Sequence, residues 1–276
     1  MTAILEVTDL RTSFRTDDGI VKAVDGVSFS VEKGRTLGIV GESGSGKSVT
    51  MLTVMGLNDK RSATSTGSVL LDGQEILGTS TSTLQDIRGT RMAMIFQDPM
   101  TSLNPVKSIG WQLAEAILVH KDVTKRAAHD RAIELLKQVG IPRAEQRVDD
   151  YPHQFSGGMR QRAMIAMAIA CNPVILIADE PTTALDVTVQ AQILRLIKNL
   201  MKQIDSALIL ITHDLELVLE LCTDVVVMSG GRAVSAGAPA AVLANASLIE
   251  THHLEVPGSL RPRNACRHQD QVAEFT

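Results

Sequence analysis

An apolar run at 36–40 leads without a break into Gly41, Glu42, Ser43, Gly44, Ser45, Gly46, Lys47 and Ser48, and a helical pattern begins near Lys47. This is GxxxxGK[ST] between a strand and a helix, the setting in which it carries a mechanism. Glycines let backbone N–H groups curl around a polyphosphate, and the helix N-terminus adds its partial positive charge. Lys47 can then reach the β and γ phosphates, and the Ser48 hydroxyl can ligate Mg²⁺. The first strand-loop-helix unit therefore starts near Thr36.

Around that unit, β-like runs precede it at 4–10 and 27–31. Further apolar strand candidates follow at 68–71, 92–96, 174–178, 207–212 and 225–228, several flanked by helical patterns. The alternation predicts a largely parallel α/β core. The character changes at 98–155, where 111–120 and 125–139 read as helices. Thr124 is the N-cap of the second, Gly140 its C-cap, and Pro142 stands just beyond. This stretch is a helical insertion. The runs 225–228 and 232–236 are split by Ser229, Gly230 and Gly231, a turn suited to a hairpin. After about Ala246 the pattern fades. With 276 residues, 44% of them hydrophobic, one core with an inserted subdomain is the arrangement that fits. The expected organisation is a nucleotide-binding domain over 1–250, with its insertion at about 98–155, and a polar tail over 251–276.

A formal net charge of -4 gives no bulk reason to bind a phosphate backbone, so no nucleic acid partner is expected. The N-terminal residues do not read as a secretory signal. The apolar stretch 163–178 is divided by Asn172 and Pro173 into pieces shorter than the ~20 residues that span a bilayer. Membrane attachment is expected through a partner. Cys171, Cys222 and Cys266 form no CxxC pair and read as reduced, the first two buried.

The run 174–178 ends in Asp179 and Glu180, which puts two carboxylates at the carboxyl end of a core strand beside the phosphate loop. Asp179 suits Mg²⁺, through water. Glu180 suits polarising an attacking water, because a carboxylate beside a metal-bound triphosphate can accept its proton. A phosphate loop with an acidic strand end still admits GTPases, kinases, helicases and many ATPases.

Phe155-Ser-Gly-Gly-Met-Arg-Gln-Arg162 narrows the choice, because it resembles the signature motif of the ABC ATPases, with Phe155 where Leu is usual. Ser156 can cap the following helix, and with the Gly157 and Gly158 amides it forms an anion site. The resemblance implies an α/β fold: a P-loop NTPase (RecA-like) core with an antiparallel β subdomain and an inserted α-helical subdomain. It also implies a head-to-tail pair of protomers around two ATP molecules, with Ser156, Gly157 and Gly158 acting on the partner's ATP. A monomer should hydrolyse poorly. Other elements fall in family order between 36 and 214. Gln97 resembles the Q-loop glutamine, sensing Mg²⁺ and the lytic water. Ala184, Leu185 and Asp186 resemble the D-loop, and His213 the switch histidine that bonds the γ-phosphate. Val49, next to Ser48, joins the nucleotide-binding set. Where the family often stacks adenine on an aromatic ring, this chain has Ile20, Val21 and Lys22, so Val21 offers apolar contact only. The preference for ATP over GTP is carried over from the family.

Three stretches, 96–105, 151–156 and 179–188, look like the oligopeptide, dipeptide and nickel importer branch. Membership there implies an ATP hydrolase coupled to transmembrane transport, peripheral on the cytoplasmic face of the inner membrane. Its partners would be a second ABC ATPase subunit, two transmembrane permeases and, through them, an external solute-binding protein. The 98–155 insertion would dock on the permeases. Peptide uptake is the reading preferred, and a nickel or metal-chelate importer ATPase is the alternative. A non-transport ABC ATPase in DNA repair or on ribosomes is opposed by the lack of a long coiled coil between Gln97 and Ser156 and by the single cassette. Intact Lys47, Asp179, Glu180 and His213 oppose an inactive scaffold. The tail lacks the branch's His-Pro-Tyr-Thr segment and carries only Cys266, so no tail metal cluster is expected.

Overall fold

The computed structural model describes residues 3–97, 102–182, 185–252, 254 and 257–260. Parts of the expectations above, including residues 98–101, Ala184 and Cys266, lie outside the described residues.

Strands β1 (Ala3–Thr16) and β2 (Gly19–Glu32) form a long antiparallel hairpin. After β3 (Thr36–Gly41), β4 (Ala63–Leu71) and β5 (Gln74–Glu75) extend the hairpin into a four-stranded antiparallel sheet, in the order β2-β1-β4-β5. The remaining strands are β6 (Met92–Ile95), β7 (Ile175–Asp179), β8 (Ala207–Ile211), β9 (Asp224–Ser229) and β10 (Arg232–Gly237). With β3 they make a six-stranded sheet in the order β10-β9-β3-β8-β7-β6. It is parallel except for β10, which returns antiparallel to β9 through the Gly230-Gly231 turn.

The run expected at 68–71 forms, but as the end of β4 in the antiparallel sheet. Four apolar residues specify a strand without specifying which sheet it joins. The β1 and β2 runs are also longer than expected. Their partners shift register between Val7 and Leu10 and between Thr12 and Ser13, and such bulges interrupt the two-residue alternation that marks a strand.

Both faces of the six-stranded sheet are covered, which is why its strands read as continuous apolar runs. Ile175, Ile177, Ile209 and Ile211 join one core with the antiparallel sheet and with Met51 and Val54 of the helix Lys47–Val54. Leu176, Ala178, Leu208 and Leu210, on the opposite face, join the core of the helical region. That region comprises the helices Ile109–Leu118, Lys125–Gln138 and Ala144–Arg147, followed by the helix Gly157–Ala168. Thr124 caps the second, accepting from the Ala127 amide, and Gly140 follows it with φ 76°. Phe155 is only 2% exposed and anchors the start of the Gly157–Ala168 helix in this core. Cys171 and Cys222 are free thiols, the first buried and the second partly so.

The fading expected after Ala246 is not what the chain does. Helix Ala246–Thr251 and the short turn Gly258–Leu260 pack onto a third cluster around Val40, Leu215 and Val218. The six-residue helix is too short to display a hydrophobic period, and Ile249 is its one buried residue. No helix among the described residues is long and apolar enough to cross a membrane.

Candidate functional site

Four adjacent parallel strands, in the order β3-β8-β7-β6, deliver their carboxyl ends to one edge of the sheet. The loop 41–48 follows β3, Thr212 and His213 follow β8, Asp179 and Glu180 end β7, and Gln97 stands just beyond β6. At the spacing of neighbouring strands, that row is about 14 Å across, wide enough for a triphosphate.

The loop turns on Gly41, Gly44 and Gly46, with φ of 153°, 77° and 97°. A Cβ on Gly46 would lie 2.5 Å from the Ala23 carbonyl, and one on Gly41 2.1 Å from that of Met228. Glu42, Ser43 and Gly44 form an exposed lip, whereas Ser45, Gly46 and Lys47 are buried. Gly46 gives the helix Lys47–Val54 no side-chain cap, so its first-turn amides remain for a ligand. Val49, in the same helix, packs against the core beside Met51.

Lys47 is 6% exposed, and its ammonium group donates to the carbonyls of Gly41 at 2.8 Å and Glu42 at 2.7 Å. Burial holds its pKa below the ordinary lysine value, against the opposing pull of Glu180, Asp179 and Glu42. A buried cation satisfied by neutral oxygens is the electrostatic complement of a polyanion.

Asp179, also 6% exposed, has its carboxyl pKa raised by burial. The hydrogen bond from Ser48 Oγ to its Oδ1, 3.0 Å, pulls the other way. The Ser48 and Asp179 oxygens are hard donors brought together at the loop. Among the described residues no group of three His, Cys, Asp or Glu side chains could hold a metal. An ion bound by Ser48 and Asp179 would therefore complete its shell with phosphate oxygens and water, which suits Mg²⁺ and its reluctance to dehydrate.

Glu180 has φ 45°, in the left-handed region, while its N–H still donates to the Ile211 carbonyl at 3.0 Å. Such a conformation costs about 1 kcal/mol or more in a residue with a side chain, and it turns the carboxylate out of the strand's path. Gln97 Nε2 donates to one carboxylate oxygen at 2.8 Å, and His213 Nδ1 lies 3.8 Å from the other. Gln97 and His213 thus bracket Glu180 from the neighbouring strands.

Ser156, Gly157 and Gly158 open the helix Gly157–Ala168. Ser156 Oγ accepts from the Met159 amide at 3.4 Å, and Cβ atoms on Gly157 and Gly158 would meet Leu185 and Val189. Asp186 caps the helix Val187–Ile204, its Oδ1 accepting from Val189 N at 3.0 Å. Val21, 53% exposed, lies two residues along β2 from Ala23, the residue whose carbonyl abuts Gly46.

Sequence reasoning missed the brace behind the loop. Gly231 N–H donates to the Ser45 carbonyl at 3.1 Å, and Asp25 N–H donates to the Gly231 carbonyl at 2.8 Å. Arg11 and Arg232 flank the Asp25 carboxylate and hold its pKa down, Arg232 by direct hydrogen bonding. Arg11, Asp25 and Arg232 belong to no motif, and nothing in the sequence links the turn at Gly231 to the loop at Ser45. Also unanticipated is an apolar groove of about 570 Å³ along edge strand β6, lined by Leu57, Met94, Phe96, Met164 and Met167 and lying next to Gln97.

Comparison with known proteins gives the geometry a context. The family model described as ABC transporter matches residues 24–183, more than half of the chain. The oligopeptide transport ATP-binding protein OppD of Bacillus subtilis (strain 168) is 52% identical, the match covering 86% of this chain and 66% of that one. The dipeptide transport ATP-binding protein DppD of Lactococcus lactis subsp. cremoris (strain MG1363) is 54% identical, over 85% of this chain and 67% of that one. The chain thus spans about two thirds of the length of these curated relatives. Among solved structures, the dimeric ATP-binding cassette MJ0796 in a post-hydrolysis state bound to ADP and Pi matches with a TM-score of 0.75 at 25% identity, over 85% of this chain and 98% of that one. CbiO1 from Clostridium perfringens, part of the ABC transporter complex cbiONQ, matches with a TM-score of 0.73 at 27% identity, over 94% of this chain and 98% of that one.

Proposed function

This chain belongs to the ABC transporter family, and on that footing we propose that it is the ATP-hydrolysing subunit of a peptide importer, peripheral on the cytoplasmic face of the inner membrane. The observation that carries the hydrolytic part is the bracketed Glu180, held by Gln97 at 2.8 Å with His213 opposite, one residue from Asp179 and its Ser48 hydrogen bond.

In this reading the loop amides and Lys47 bind the β and γ phosphates of ATP. Ser48 and Asp179 would hold Mg²⁺, Asp179 through water, with Gln97 at the edge of its shell. When bound, the ion neutralises charge on the phosphates. Glu180 accepts the proton of the attacking water, and Gln97 orients that water. His213 donates to the γ-phosphate as charge builds on it. Val21 supplies an apolar contact to the base. Ser156, Gly157 and Gly158 serve the nucleotide of a second ABC ATPase subunit, and Asp186, which caps the helix whose Val189 lies against Gly158, belongs to the same nucleotide-binding set. The dimeric state of MJ0796 supports the pairing.

The groove along β6 supports the coupling to transport. Its apolar floor ends at Phe96, adjacent to Gln97, so a helix from a transmembrane permease seated there would sense whether Gln97 is engaged. Two such permeases, and through them an external solute-binding protein, complete the proposed machine. The peptide substrate rests on the relatives' names.

The test is mass spectrometry of what co-purifies with tagged Glu180→Gln protein from detergent-solubilised membranes in MgATP. Two permeases, a second ATPase and a peptide-binding protein are expected. A nickel- or chelate-binding protein in that position would redirect the substrate, and recovery of soluble partners alone would overturn the importer reading.

A further inference from the structure

His213 sits on a short turn whose far side is tied to the last described residues of the chain. Asp214 N–H donates to Thr212 Oγ1 at 3.0 Å, and Asp214 Oδ1 accepts from the amides of Glu216 at 3.0 Å and Leu217 at 3.2 Å. The orientation of the helix Leu215–Leu221 therefore sets where His213 stands. Seven residues make a helix with little stability of its own, so tertiary contacts must fix it. On its other side His213 follows β8 through Thr212, whose N–H donates to the Ile39 carbonyl at 3.3 Å, and its own side chain is 69% exposed.

The C-terminal segment supplies part of those contacts, beside the packing of Leu215 and Val218 with Val40, Val225, Val227, Val242 and Leu243. Glu216 accepts twice from Ser259, the backbone N–H at 2.9 Å on Oε1 and the hydroxyl at 2.7 Å on Oε2. Leu254 and Leu260 pack on the cluster that includes Leu215, Val218 and Ile249. Hydrogen bonds to a carboxylate are shorter and stronger than neutral ones, and two from one residue fix direction as well as distance.

We infer that 257–260 is a strap that holds the helix Leu215–Leu221 and so keeps His213 in register with Glu180, with Glu216 and Ser259 as positioning residues. The inference rests on the proposed role of His213 at the γ-phosphate. Glu216 and Ser259 act on the helix that follows His213 and belong to neither the loop 41–48 nor the helix after it, so releasing the strap changes turnover and leaves nucleotide binding alone.

The experiment uses the full chain with Glu216→Ala, Ser259→Ala and Ser259→Thr, read two ways. In steady-state ATPase assays, Glu216→Ala lowers kcat about tenfold with KM for ATP unchanged, the scale that a small displacement of a catalytic group produces. Ser259→Ala falls between, and Ser259→Thr, which keeps the hydroxyl, restores wild-type kcat. Independently, in nucleotide-free protein, the His213 ring resonance, assigned by its loss in His213→Gln, shifts in Glu216→Ala while the resonances of His120, His129 and His153, remote from the strap in sequence, stay in place. An unmoved His213 resonance overturns the strap, as does a parallel loss of KM, kcat and melting temperature. The ATPase assays use the complex isolated from membranes through the tagged full chain; if the wild-type complex shows no ATPase activity, the functional reading fails and the resonance still decides the strap.

Discussion

Lys47 illustrates how much a single side chain can say about a missing anion. Its ammonium group is buried and donates to neutral carbonyls, and burial depresses its pKa against the opposing pull of Glu180, Asp179 and Glu42, so a bound polyanion would stabilise its charged form. Lys47→Ala should weaken MgATP binding by about ten- to a hundredfold, the worth of a charge-assisted hydrogen bond in a buried site. A fluorescent-nucleotide titration measures this, and wild-type affinity would show that the lysine is not a phosphate ligand. Cys222 makes the opposite point. Its burial pushes the thiol up to about 12, so only about one molecule in ten thousand is thiolate at pH 8. Because the group is neutral below its raised pKa, iodoacetamide at pH 8 should leave Cys222 unmodified in native protein and alkylate it after denaturation. Peptide mass mapping reads both states. At this scale the site was largely legible: Lys47, Ser48, Asp179 and Glu180 declare their chemistry through type and spacing. Gln97 and His213 are ordinary polar residues until their order along the chain is read. Glu216 and Ser259 could not be found, because 43 positions separate them and neither belongs to a motif.

At the scale of elements, legibility follows burial. Strands covered on both faces, such as β7 and β8, announce themselves as unbroken apolar runs. The β1–β2 hairpin does not, because one face is exposed and bulges break its alternation. The helix Lys125–Gln138 was legible through its cap, and Thr124→Ala should cost about 1 kcal/mol in a denaturant melt without altering turnover. The phosphate loop is less forgiving. Gly46 combines φ 97° with a close approach to the Ala23 carbonyl, so Gly46→Ala should destabilise the fold by more than about 1 kcal/mol and abolish nucleotide binding. Calorimetry with and without MgATP checks both parts; retained nucleotide stabilisation would mean that the loop tolerates a side chain where β2 abuts it.

For the whole molecule, the site within one chain is incomplete by this account. Ser156, Gly157 and Gly158, packed beside Leu185 and Val189, are proposed to serve the loop of a partner. Ser156→Arg should therefore leave ATP binding intact and stop turnover; undiminished phosphate release would argue for a self-sufficient monomer. The central claim is narrower, that Glu180 is the base of an ATP hydrolase. The direct measurement is phosphate release from MgATP by the complex isolated from membranes through the tagged chain, with wild-type protein and with Glu180→Gln side by side. The variant should retain bound ATP while its phosphate release falls by about tenfold or more. Equal rates in the two preparations would contradict it.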